Sequence, residues 1–185
     1  MSAPSPLAGV LLLCVDLQPV FLKSIHDSES VTRRCAFAIE AAAGLGMRVA
    51  FTEQLPRKLG GTAPELLALA PGADLHAKST FSVFADDGIN DALRSLDIEH
   101  ILLCGIETPI CIYQTALGAL DVNLQVTVLA DAVGARRPND AAICLGGLAR
   151  AGVHLLPAET VFYALLHDAG HPFFKGFTQL VKKYN

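Results

Sequence analysis

No apolar run in this chain reaches the roughly 18 residues that a membrane-spanning helix requires, although 52% of its 185 residues are hydrophobic and the mean hydropathy is +0.43. The apolar residues are therefore expected in a buried interior, with no membrane partner. Charge is scarce, at 17%, and intrinsic disorder is excluded because such a chain buries enough apolar surface to offset its ordering entropy. Lysines and arginines are scattered, the formal charge is −4 and the pI about 5.8. No phosphate-tracking surface and no nucleic-acid partner are expected. C-x-x-C is missing and the five cysteines are odd in number, which argues against a disulfide framework and for a reducing compartment, the cytoplasm. The opening MSAPSPLAGV has no basic n-region, so no signal peptide is read there. Internal repeats, low-complexity tracts and linkers are also lacking, and residues 1–185 read as one domain with a substantial core.

What the chain does have is alternation. Gly9 to Asp16 is a continuous apolar run ending in a carboxylate, the pattern of a strand covered on both faces. Further strands are expected at Met47 to Thr52, Asp74 to Ala77, His100 to Cys104 (stopping at Gly105), Gln125 to Leu129 and Val153 to Leu156. Helices are expected at Ser28 to Leu45, Ala63 to Ala70, Asp87 to Leu96, Pro109 to Leu120 and Asn139 to Ala151, with two more helical pieces from Pro157 onward. Strands alternating with helices imply a parallel sheet with right-handed crossovers, in a three-layer α/β/α domain.

Ligands bind open parallel sheets beyond the carboxyl ends of strands. Asp16, Lys78 and the segment Gly105 to Cys111 all sit at or just after such ends. Thr108 is a good N-cap and Pro109 a good first helical residue, which places Cys111 in a first helical turn, where free N–H groups favour thiolate over thiol. A base, a cation and a nucleophile are the minimum for covalent acyl chemistry. The competing readings are a small buried cysteine, an aspartate capping a turn and a solvated lysine.

VDLQ at Val15 to Gln18, KSTFSVF at Lys78 to Phe84 and GIETPICIYQTA at Gly105 to Ala116 together resemble the isochorismatase-like cysteine hydrolases, a family that includes nicotinamidases and related amidases. Thr52 to Leu66 and His171 to Lys183 look closer still to the isochorismatase domain-containing proteins of unassigned substrate. The resemblance implies a Rossmann-like six-stranded sheet in order 3-2-1-4-5-6. It implies a triad of Asp16, Lys78 and Cys111, in which Asp16 takes the thiol proton, Lys78 orients Asp16 and stabilises the thiolate, and Cys111 attacks. It also implies a non-prolyl cis peptide between Ile106 and Glu107, an oxyanion hole from the backbone N–H groups of Glu107 and Cys111, and a homo-oligomer, dimer or larger. Gln18, Phe21, Leu55, Phe81 and Phe84 are expected to line a substrate pocket.

Two departures from the family narrow the chemistry. Metal-dependent nicotinamidases carry a D-x-H pair where this chain has Thr52-Glu53-Gln54-Leu55-Pro56, and zinc-like ions need several imidazole or thiolate ligands, so no metal or other cofactor is expected. Siderophore-type isochorismatases lack the nucleophilic cysteine, which disfavours vinyl-ether hydrolysis. His167 and His171 are four apart, but Gly170 and Pro172 argue against a helical metal pair. The expected activity is hydrolysis of a small amide or related acyl compound through a thioester-type intermediate. Its rivals are a catalytically idle oligomeric binding or scaffold protein with the same fold, and thiol redox chemistry.

Overall fold

The computed structural model describes residues 7–185; the reading of the N-terminal decapeptide lies largely outside them. Six strands form one wholly parallel sheet: β1 (Val10–Val15), β2 (Arg48–Gln54), β3 (Asp74–Lys78), β4 (His100–Ile106), β5 (Gln125–Gly134) and β6 (His154–Leu156), in the order β3-β2-β1-β4-β5-β6. The strand order implied by the resemblance is the one observed.

The period-two alternation of a strand divides β1 between two cores. Leu12 and Cys14 face one layer, built by α2 (Ser28–Gly44), α8 (Ala158–Leu166) and α9 (Phe174–Lys183). Leu11, Leu13 and Val15 face the other, built by α5 (Asp87–Arg94), α6 (Tyr113–Asp121) and α7 (Pro138–Arg150). Both faces being covered, β1 is apolar throughout. Phe37, Phe162 and Phe177, all fully buried, meet edge-on or tilted at centroid distances of 5.7–6.3 Å in the first layer. Three one-turn helices, α1 (Pro19–Leu22), α3 (Pro56–Leu59) and α4 (Pro64–Leu67), each have proline in the first turn, where its missing N–H costs nothing. Among the described residues no helix is long and apolar enough to cross a membrane.

Several boundaries differ from the sequence expectation for identifiable reasons. β4 continues through Gly105 instead of stopping there. Gly105 has φ of 115°, and a Cβ on it would lie 2.1 Å from the Val15 carbonyl oxygen. This glycine permits close approach of two paired strands at an irregularity in the β4–β5 ladder. β5 runs five residues past Leu129, because Asp131 is held rather than solvated: its carboxylate accepts from Arg34 Nε at 2.8 Å and from the Ala158 N–H at 2.7 Å. The helix expected from Pro109 begins as a wider turn, Thr108–Ile112, in which the Ile112 N–H reaches back to the Glu107 carbonyl. Thr108 is not its N-cap; buried, it donates to the Gly134 carbonyl at 3.0 Å and ties this turn to the end of β5.

Candidate active site

The carboxyl ends of β1, β3 and β4 deliver three side chains to one point. Asp16, immediately after β1 with φ of 53°, is 2% exposed. Its Oδ1 accepts from Thr52 Oγ1 at 2.9 Å and its Oδ2 from Lys78 Nζ at 2.7 Å. Lys78, the last residue of β3, also donates to Gln54 Oε1 at 2.6 Å and to the Thr80 carbonyl at 3.2 Å. An ammonium has three protons, and these oxygens account for all of them. The Cys111 sulfur, 3.8 Å from Nζ, therefore receives the lysine's charge more than a proton. The Ile106–Glu107 peptide that leads into the Cys111 turn is cis.

Burial first, and then the Asp16 carboxylate, push the Cys111 thiol up to about 12, against the pull of Lys78 and of the Glu107 N–H. The expectation that helix geometry would favour a resting thiolate is corrected here. The Asp16–Lys78 pair is already neutral and enclosed, so a third charge made by losing a proton to solvent is costly in this low-dielectric setting. Transfer of that proton to Asp16 leaves the net charge of the three groups unchanged.

Asp16 and Cys111 line a cavity of about 300 Å³, at the small end of ligand sites, while the Lys78 side chain is buried. Phe21, Ile25, Phe81, Ile106 and Ile110 make its wall apolar, and Ser24, Gln54, Glu107 and Arg136 add polar atoms. Of the five side chains expected to line a pocket, Phe21 and Phe81 do so; the other three lie elsewhere. Gln18 is fully buried beneath the site, where its amide pairs with the Gln54 backbone, accepting from N–H at 2.7 Å and donating to C=O at 3.1 Å, and also donates to the Gly60 carbonyl. Leu55, at φ of 45°, begins the α3 turn and lies on a separate surface depression with Pro56 and Lys58. Phe84 follows the turn at Ser82 into the second core, beside Gly118.

Among the site residues that escaped the sequence reading, Gln54 and Arg136 make the polar contacts that tie it together. Gln54 is the register partner of Lys78 across β2 and β3, which explains their contact. Arg136 binds Glu107 through its backbone N–H at 3.1 Å and its Nε at 2.9 Å, so the residue after the cis bond is fixed from the far side of the cavity. In the stretch where metal-dependent relatives carry D-x-H, Thr52 and Gln54 hold Asp16 and Lys78. Among the described residues, no group of three or more His, Cys, Asp or Glu is arranged to hold a metal ion. Cys14, Cys35 and Cys104 are buried elsewhere; the hydrogen bond of Cys35 to Cys104, and that of Cys104 to Cys14, together with burial, raise the thiols of Cys35 and Cys104 well above the usual range.

The profile of the Isochorismatase domain matches residues 10–160. The chain belongs to the isochorismatase family. Isochorismatase domain-containing protein 2 of Xenopus laevis is 39% identical over 178 residues, covering 94% of this chain and 83% of the relative. A structure described as MAR1 ribonuclease from Caenorhabditis elegans superposes with a TM-score of 0.89 at 29% identity, over 95% of this chain and 91% of that one. The YcaC protein of Escherichia coli, described as an octameric hydrolase of unknown specificity, shares the fold with a TM-score of 0.84 at 19% identity, over 99% and 98% of the two chains. Family membership makes this isochorismatase-like chain kin to hydrolases.

Proposed function

We propose that this chain is a cofactor-independent cysteine hydrolase of a small amide or related acyl compound. One observation carries the reading: the buried Lys78 Nζ lies 2.7 Å from the Asp16 carboxylate and 3.8 Å from the Cys111 sulfur, and Asp16 and Cys111 both line the cavity. The Cys111 sulfur adds to the carbonyl carbon as its proton passes to Asp16. Electrons of the C=O bond move onto oxygen, which faces the N–H groups of Glu107 and Cys111, a stabilisation worth a few kcal/mol in comparable sites. The tetrahedral species collapses with cleavage of the C–N bond, and Asp16 returns the proton to the departing amine. Water then adds to the thioester, giving a proton to Asp16; the C–S bond breaks, the sulfur regains its proton, and the carboxylic acid leaves. Lys78, its protons committed, serves as a fixed charge and not as the base.

The dimensions of the cavity support a compact substrate, and its apolar wall suits an acyl group. Self-association, the described state of the YcaC neighbour, belongs to the same reading. The test is turnover of a panel of small amides and acyl esters by purified protein treated with chelator, with Cys111→Ala as control. Hydrolysis that survives chelation and vanishes in Cys111→Ala is expected. Binding without turnover anywhere in the panel would favour the idle alternative, and zinc-restorable activity would overturn cofactor independence.

A further inference from the structure

α7 buries a single side chain, Leu148, whereas α2 buries eight. Its exposed face is nevertheless not polar. From Ala141 to Ala149 no residue carries a polar or charged side chain other than the thiol of Cys144, and the ionic groups stand at the two ends, Asp140 and Arg150. Ala142, Ile143 and Ala149 face solvent, with Ile143 72% exposed, the highest figure among the large exposed hydrophobics. Gly146 belongs to the same stripe. A glycine weakens a helix, and nothing in this chain requires one there: a Cβ on Gly146 would meet only its own helix's Arg150 Nη1, at 3.6 Å. A Cβ on neighbouring Gly147, by contrast, would meet the Tyr113 ring at 3.4 Å.

We propose that α7 is the seat of a twofold contact between two copies of this chain, packed antiparallel along this stripe. The stripe is self-complementary when reversed about a point between Cys144 and Leu145. Ile143 of one copy then stands opposite Gly146 of the other, a knob over a gap, and the relation repeats across the axis as an isologous interface requires. The charges match in the same register. Reversal about that point sets each Asp140 opposite the second copy's Ala149, one residue or about 1.5 Å along the helix from Arg150 and within reach of its long side chain. Among the described residues Arg150 makes no hydrogen bond or ion pair, while Asp140 holds only the exposed Arg137, at 2.5 Å, and has acceptor capacity left. A parallel arrangement would instead pair like charges.

Sedimentation velocity across a concentration series tests this without reference to catalysis, so its failure is separable from failure of the hydrolase reading. The native chain is expected to be a dimer or a multiple of one at micromolar concentration. Ile143→Glu and Gly146→Gln are each expected to raise the dissociation constant of this contact at least about 100-fold. Gly146→Gln should do so without lowering the thermal midpoint of the separated chain, since it replaces a helix glycine over open space; this separates lost association from lost folding. Arg150→Glu should weaken the contact and Asp140→Arg, combined with it, should restore it. A monomer at roughly 100 µM, or an oligomer indifferent to both Ile143→Glu and Gly146→Gln, overturns the proposal.

Discussion

Lys78 has three protons to give and gives each of them to a fixed oxygen, and this settles how the neighbouring thiol behaves. Cys111 faces a closed neutral pair, so ionisation into bulk water is disfavoured and the thiol is pushed up to about 12. The sign of the pH dependence follows. Alkylation of Cys111 by iodoacetamide should be slow at pH 7 and rise continuously through pH 9 and 10 without a plateau, because the reactive thiolate becomes abundant only as pH approaches the raised value. Asp16→Asn removes a cause of the upward shift and leaves the pull of Lys78, so the alkylation profile should move to lower pH while turnover is lost with the proton acceptor. Peptide mapping by mass spectrometry, run beside the activity assay, reads both. Turnover that persists in Asp16→Asn would defeat the assignment of Asp16 as base.

At the scale of elements, the β1–β4 seam brings the site together, and Gly105 is where the seam is tightest. Any side chain there must both adopt φ of 115° and displace the Val15 carbonyl. Gly105→Ala is expected to cost more than about 3 kcal/mol in stability, measured by urea denaturation; a loss under 1 kcal/mol would show that the seam yields. This glycine also marks where sequence reading falters. A glycine closing an apolar run reads as a stop, and only the backbone of β1, ninety residues earlier in the chain, reveals it as a point of contact. Strand order was accessible only through the family resemblance, whereas the clustering of polar groups after strand ends was accessible because buried parallel strands are apolar until they emerge. Gln54 was not accessible, since its tie to Lys78 arises from register between β2 and β3, nor was Arg136, whose partner Glu107 is 29 residues away. Phe84 and Leu55 misled because proximity in sequence to Lys78 and Gln54 does not carry across a turn: one residue beyond the turn, the side chain belongs to another face.

For the whole molecule, charge separates the family's possible substrates. The C. elegans neighbour is described as a ribonuclease, yet this chain carries 18 acidic against 14 basic residues, and backbone affinity for nucleic acid depends on concentrated cations. Single-stranded RNA is expected to show no binding tighter than about 100 µM at physiological salt by fluorescence anisotropy; sub-micromolar binding with a steep salt dependence would reverse this. The cavity is instead assembled from the interior outward, and the Gln18 amide shows what that means for motion. By pairing with the backbone of Gln54 and reaching the Gly60 carbonyl, one side chain sutures the exit of β1, the end of β2 and the loop beyond it. Such segments ordinarily fray one at a time, each with its own small opening energy. Stitched together, they are expected to open as one cooperative unit, which would leave the floor of the cavity preformed.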